Sequence, residues 1–238
     1  ITQCALSGKG FGLANSCPST LTPGQSGQIG ISFVPSDVKD YSDTLSIISD
    51  GGQKTVSLKG QGAGGKISIS PTQLDFGTVV VNSSDTKVLQ VTNVGNISYS
   101  ITNISPLQSP YSLSYTGNLP IELLPGTTYN ISVTFSPSNA GFYTGSIKVT
   151  NDAVNSQTGV ETILIQGQAI TANISIDPNQ LAFESVTVGS TQTKSFKIKN
   201  NTTKDVIIKK INSPLTPFAL ENPPTTPYTI SAGEEVDL

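Results

Sequence analysis

The stretch KISISPTQLDFGTVVV, Lys66 to Val81, returns 107 residues later as NISIDPNQLAFESVTV, Asn173 to Val188. Ile67, Ile69, Pro71, Gln73, Leu74, Phe76, Val79 and Val81 are repeated as Ile174, Ile176, Pro178, Gln180, Leu181, Phe183, Val186 and Val188. A chain that repeats its apolar spacing at so long an interval is built from supersecondary units placed in series. Val91, Asn93, Ile101 and Ile104 recur in the same way as Ile198, Asn200, Ile208 and Ile211.

A second offset, of 102 residues, brings in the start of the chain. PGQSGQIGISFVP, Pro23 to Pro35, matches PGTTYNISVTFSP, Pro125 to Pro137, and Tyr41, Leu45 and Ile47 then meet Tyr143, Ile147 and Val149. VSLKGQG (Val56 to Gly62) and ILIQGQA (Ile163 to Ala169) close the two blocks alike. The expected division is therefore the C-terminal part of one repeat over 1–62, a complete repeat over 66–169, and the N-terminal part of a third over 173–238. The Gly-rich GQGAGGK, Gly60 to Lys66, reads as a hinge, and QGQAITAN, Gln166 to Asn173, as its stiffer counterpart.

Each repeat reads as β. Asn130 to Phe135, Gly145 to Val149 and Ser195 to Lys199 alternate apolar and polar residues with period two, with Gly, Pro, Asn and Asp clustered between such runs. No window carries an amphipathic helical pattern. About eight short strands per repeat predict an all-β chain of tandem immunoglobulin-like antiparallel sandwiches.

Composition excludes most catalysis. The sequence has no His and no Arg, so all thirteen basic residues are Lys. That removes histidine triads, imidazole metal sites and arginine phosphate clamps, and the chain is expected to be no enzyme and to hold no cofactor. Charged residues are 12% of the chain, about half the usual share, while Ser and Thr number 59. The surface must be rich in hydroxyls and amides. A net charge of -3 is too mild to attract nucleic acid or anionic lipid, and no apolar run is long enough for a transmembrane segment.

Several clusters merit weighing as sites. Lys194, Lys197, Lys199, Lys204, Lys209 and Lys210 form a basic stripe, read as a solvated strand face that discourages edge pairing rather than a docking site for an acidic polymer. Asp37, Asp40 and Asp43 lie beside a turn, but the Gly and terminal Glu of a calcium loop are missing. Glu234 and Glu235 are adjacent, so on a strand they diverge and make no glycosidase pair. Gly8, Gly10 and Gly12 suggest a phosphate loop only superficially, lacking the Lys-Ser/Thr and the helix, and read as turn or bulge residues. Asn82, Asn96, Asn103, Asn130, Asn173, Asn200 and Asn201 begin Asn-X-Ser/Thr sequons and are candidate glycosylation sites.

LDFGTVVVNSS, the TNVGN after a strand, FSPSNAGFYTGSIKVTND and the closing ILIQGQA resemble the ASH domain of the hydin and abnormal-spindle type. The resemblance implies an immunoglobulin-like sandwich related to the major sperm protein fold, common in surface proteins of the choice-of-anchor D kind. It brings no catalytic, metal or cofactor residues. Secreted relatives resemble NSCPSTLAPGQSC, with two Cys around the turn, whereas here Gly27 stands in the second place. That departure makes Cys4 the candidate disulfide partner of Cys17; the alternative is two reduced, unrelated thiols. Closing a loop of this size would add roughly 3 kcal/mol by restricting the unfolded chain.

The expected function is structural: an extracellular or cell-surface stalk, filament or surface-layer component whose partners are neighbouring repeats or other copies of itself. Incomplete terminal repeats are read as a window onto a longer array, the alternative being completion between subunits. A second expectation is an adhesin-like module holding a glycan or protein near Tyr111, Tyr115 or Tyr143. An intracellular ciliary or centrosomal scaffold is the weaker third, which a disulfide would count against.

Overall fold

A computed structural model describes residues 1–6, 8 and 10–237. Among them there is no helix, and so none long and apolar enough to cross a membrane. Five strands precede the first Gly-rich joint: β1 (Gln3–Ala5), β2 (Phe11–Leu13), β3 (Ile31–Phe33), β4 (Asp40–Ser49) and β5 (Gly52–Gln61). β1, β4 and β5 form one antiparallel sheet, and β2 pairs with β3 opposite.

The central stretch holds β6 (Ile67–Ser70), β7 (Gln73–Val80), β8 (Asp85–Asn93), β9 (Tyr99–Ile104), β10 (Tyr111–Ser114), β11 (Ile121–Leu123), β12 (Thr128–Phe135), β13 (Gly141–Asn151) and β14 (Val160–Ile170). They make two sheets, ordered β10-β12-β8-β6 and β11-β9-β13-β14-β7. Period-two alternation decides which side chains meet between the sheets. On β12, Ile131, Val133 and Phe135 are fully buried, while Ser132 and Thr134 face out. Ile147 and Val149 of β13 and Ile163 and Ile165 of β14 answer them from the other sheet.

One pairing departs from the antiparallel expectation. The chain leaves the four-stranded sheet after β6 and joins the five-stranded one at β7, where it runs parallel to β14. Having come from the same end of the sandwich as β14, β7 can add to that edge only in this sense. The ladder slips between Gln166 and Gln168, where Phe76 and Gly77 oppose Gly167. Gly77 sits at φ 59° in this bulge, a conformation suited to glycine, and the Asp75 carboxylate accepts from its N–H at 2.7 Å.

The last strands are β15 (Ile174–Asp177), β16 (Lys197–Asn200), β17 (Val206–Ile208), β18 (Tyr228–Ile230) and β19 (Glu235–Asp237). β15, β16 and β19 pair as β6, β8 and β12 do, and β17 with β18 as β9 with β11. Gln180 to Thr187, the sequence counterpart of β7, forms no strand. β7 depends on β14 for its hydrogen bonds, and no described residue plays the part of β14 in the C-terminal segment.

The repeat extends to packing. Gly167 leaves room for the Phe135 ring, which a Cβ there would meet at 2.7 Å, and Gly60 does the same for Phe33, also at 2.7 Å. Phe135 meets Tyr143 edge-on at 5.7 Å, as Phe33 meets Tyr41 at 5.5 Å. Each of these tyrosines then donates its hydroxyl to the carbonyl four residues earlier, Tyr143 to Asn139 at 3.0 Å and Tyr41 to Asp37 at 3.3 Å.

Candidate functional site: the asparagine-lined seam

The richest polar cluster lies where the first Gly-rich stretch enters the central sandwich. Asn93, at the end of β8, is completely buried. Its Oδ1 accepts from the N–H groups of Lys66 (3.2 Å) and Gly95 (2.9 Å), and its Nδ2 donates to the carbonyls of Ile97 (2.9 Å) and Leu123 (2.8 Å). Four backbone groups, three of them outside the strands and one at the end of β11, are thereby satisfied by one amide, which is why a buried polar residue is tolerated there.

Two further asparagines hold the incoming chain. Asn96 accepts from Gly64 N–H at 2.9 Å and donates to Gly62 carbonyl at 2.9 Å. Asn155 accepts from Ile67 N–H at 2.8 Å and donates to its carbonyl at 2.9 Å. Backbone bonds complete the seat: Asn96 N–H to Gly64, Val94 N–H to Lys66 and Val154 N–H to Gly65. The hinge expectation for Gly60 to Lys66 is thus corrected. Gly62, Gly64 and Gly65 are buried, and the glycines serve close approach, since a Cβ on Gly64 would meet Val154 at 2.6 Å and Val38 at 2.8 Å. The sequence reading took lack of a side chain for freedom, when it allows two surfaces to touch.

The N-terminal segment grips the same place. Gly62 N–H donates to Lys39 carbonyl at 2.9 Å, and Lys66 Nζ meets Asp37 Oδ1 at 3.0 Å. That bond and the Lys66 charge hold the Asp37 carboxyl below its ordinary value, with Val38 N–H adding to the effect. A cleft of about 350 Å³ between Pro35–Val38 and Val154–Asn155 marks the rim.

The other predicted residues are dispersed. Asp40 accepts from the Gln61 amide at 2.9 Å, and Asp43 is buried and accepts from Thr44 N–H at 2.7 Å, so the three aspartates face three different partners. Glu235 pairs with Lys197 at 2.7 Å, which lowers the Glu235 pKa and raises that of Lys197, whereas Glu234 accepts from Ser231 N–H at 2.9 Å. Lys197 and Lys199 are exposed about the buried Ile198, and Lys194 donates to Ala182 carbonyl. Gly10 lies against the Tyr41 ring at φ 91°, and Gly12 is in β2. Cys4 and Cys17 are joined by a disulfide, with a Cα–Cα separation of 6.1 Å.

Two expectations need correction. Tyr111 is not a loop residue open to a ligand: it is 5% exposed, stacked on Phe135 at 4.8 Å, and bonded through its hydroxyl to Tyr143 carbonyl. Burial, with the Asp75 charge, pushes its pKa up to about 12. Tyr143 is committed to its corner, and Tyr115 packs beside Tyr129. Asn82, Asn103, Asn130, Asn173 and Asn201 are exposed, but Asn200 is fully buried and Asn96 spends both amide atoms on the seam. The sequon pattern reads three residues and is blind to where the amide points. In the sequence the seam shows only as TNVGN, Thr92 to Asn96, and nothing in those letters ties its two asparagines to the Gly-rich joint.

With this architecture in hand, residues 65–168 match the model of the HYDIN/CFA65/VesB-like, Ig-like domain. The central sandwich is thus similar to an ASH-like, immunoglobulin-type domain. Over 182 residues it is 32% identical to the Hydrocephalus-inducing protein of Mus musculus and 29% identical to the Homo sapiens homolog. Those alignments cover 76% of this chain and 3% of each relative. Among solved structures it is similar to the ASH / PapD-like domain 7 of human CEP192, at 17% identity and a TM-score of 0.34, over 48% of this chain and 92% of that one.

Proposed function

We propose that the chain is a structural spacer: tandem modules over 1–62, 66–169 and 173–238 that set length and orientation in an extracellular stalk, filament or surface layer. The observation that carries the reading is the seam, where a junction between repeats is closed by backbone and asparagine hydrogen bonds instead of being left as a tether. Such closure suits a protein whose contribution is geometry. The Cys4–Cys17 disulfide supports an oxidising location, and no catalytic role is assigned. Negative-stain imaging of the native protein tests the proposal. Elongated particles or filaments are expected, and compact globular particles would overturn it.

A second reading, glycan recognition, draws on one feature. Asn82, Ser83, Ser84, Ser136, Pro137 and Ser138 line an uncharged cleft of about 310 Å³ at the end of the sandwich. Selective binding on a glycan array, lost on Ser136→Ala and Ser138→Ala, would favour it over a purely mechanical role.

A further inference from the structure

Several residues that close the first joint are replaced at the second. At the 107-residue offset, Thr203 replaces Asn96, Ala169 replaces Gly62 and Thr171 replaces Gly64. At the 102-residue offset Asn139 replaces Asp37, and at the 107-residue offset Asn173 stands in place of Lys66, so the ion pair has no counterpart either.

The buried asparagine persists, but it is used differently. Asn200 keeps the bonds of Asn93 to the interior, through Nδ2 to Lys204 carbonyl (2.7 Å) and Ile230 carbonyl (3.0 Å). Its Oδ1, however, accepts from Thr202 N–H at 2.9 Å and Thr202 hydroxyl at 2.7 Å, where Asn93 accepts from the incoming Lys66. Asn201 reaches back to the chain near that point, through its N–H to Asn173 carbonyl at 2.8 Å and its Nδ2 to Ser175 Oγ at 3.0 Å.

We infer that the top of the central sandwich, built by Asn93, Asn96, Val154, Asn155 and Lys66, is a docking surface for one kind of partner: a preceding immunoglobulin-like module with an acidic Pro-Ser-Asp turn and glycines at its exit. The surface reads the partner in two ways. Lys66 selects a carboxylate at the turn, and Asn96 with Val154 admits an exit strand only where residues 62 and 64 lack a Cβ. At the second joint Asn173 has no charge with which to select a carboxylate, and Ala169 and Thr171 each carry a Cβ, so the first joint is locked and the second swivels. Acting together, these bonds hold one orientation where a bare linker would sample many.

Pulsed-dipole distance measurements on the full chain, with the native disulfide intact, test this. One pair of spin labels, on Ser57→Cys and Gln90→Cys, spans the first joint. Another, on Gln90→Cys and Lys199→Cys, spans the second. The expected result is a narrow distribution across the first joint and a broad one across the second. Asn96→Ala should broaden the first without altering the second, and Gly64→Ala should do so by wedging Val38 from Val154, which keeps the test open if one variant fails to fold. Equal widths in the unsubstituted chain, or a first joint that stays narrow in both folded variants, would overturn the inference. The consequence for length control rests on the spacer reading, but the widths are measured independently of it, so imaging and distance data can fail separately.

Discussion

Asn93 and Asn200 hold the same place in two copies of the fold, each buried completely and each donating Nδ2 to the carbonyl four residues ahead and to the one thirty residues ahead. A side chain that satisfies several buried backbone groups is worth more than its own bonds, because removing it leaves those groups dry and unpaired. Asn93→Ala is expected to cost about 3 kcal/mol in urea unfolding of the central sandwich. Asn93→Asp should be no rescue, since a carboxylate cannot donate to the Ile97 and Leu123 carbonyls. A loss under about 0.5 kcal/mol would show that these bonds are replaced by water at no cost.

The disulfide acts on a different part of the chain. Cys4 lies in β1, paired with β4 through Cys4 and Ile47, and Cys17 lies in the stretch between β2 and β3. Reduction frees a loop of 13 residues' separation, and the chain-entropy argument puts the loss at roughly 3 kcal/mol. The expected outcome is an early melting step confined to residues 1–62 under reducing conditions, with the central sandwich unchanged. Hydrogen exchange with and without reductant reads this directly, and a uniform loss of protection over residues 66–169 would contradict it.

Strands were legible in the sequence where alternation was clean. Ile131, Val133 and Phe135 gave β12, and the 107-residue repeat anticipated that β15 and β16 would follow β6 and β8. The parallel β7–β14 pair was not legible, because period two shows which face a strand buries and nothing of its neighbour or direction. Gln180 to Thr187 shows the same limit, since it carries the letters of β7 without a partner to pair with. The seam was read backwards for a related reason. Gly62 and Gly64 look alike whether glycine provides freedom or contact, and only the positions of Val38, Val154 and Asn96 decide between them.

Tyr111 gives the fold an alkaline limit. Its ordinary value is 10.0, and burial, aided by the Asp75 charge, raises it to about 12. The folded chain thus retains a proton that the unfolded chain has lost, so this stabilisation is whole below about pH 10 and declines as pH rises through about 12. Urea midpoints should fall between about pH 9.5 and 11.5, and Tyr111→Phe should flatten that fall while losing the bond to Tyr143 carbonyl. Some slope should remain, because burial raises Tyr99 as well. A pH response identical in Tyr111→Phe and the parent chain would refute the assignment.

The seven sequons separate by what their amide nitrogens already do. N-linked sugar is attached to Nδ2, and the Asn200 Nδ2 donates to the carbonyls of Lys204, Ile230 and Ser231 from a position with no exposed surface. A sugar there would have to displace the C-terminal segment from around it, so chains glycosylated at Asn200 should be absent from the folded fraction. Asn96 is a subtler case, because its Nδ2 bond to Gly62 lies in the seam, where a sugar would keep the N-terminal segment from seating. Asn82, Asn103, Asn130 and Asn173 have open side chains and no such conflict. When the chain is secreted from a host that attaches N-linked sugars, glycopeptide mass spectrometry of the folded protein should find occupancy confined to the exposed sequons. Substantial sugar on Asn96 in protein that still gives a narrow distance across the first joint could not be reconciled with the seam described here.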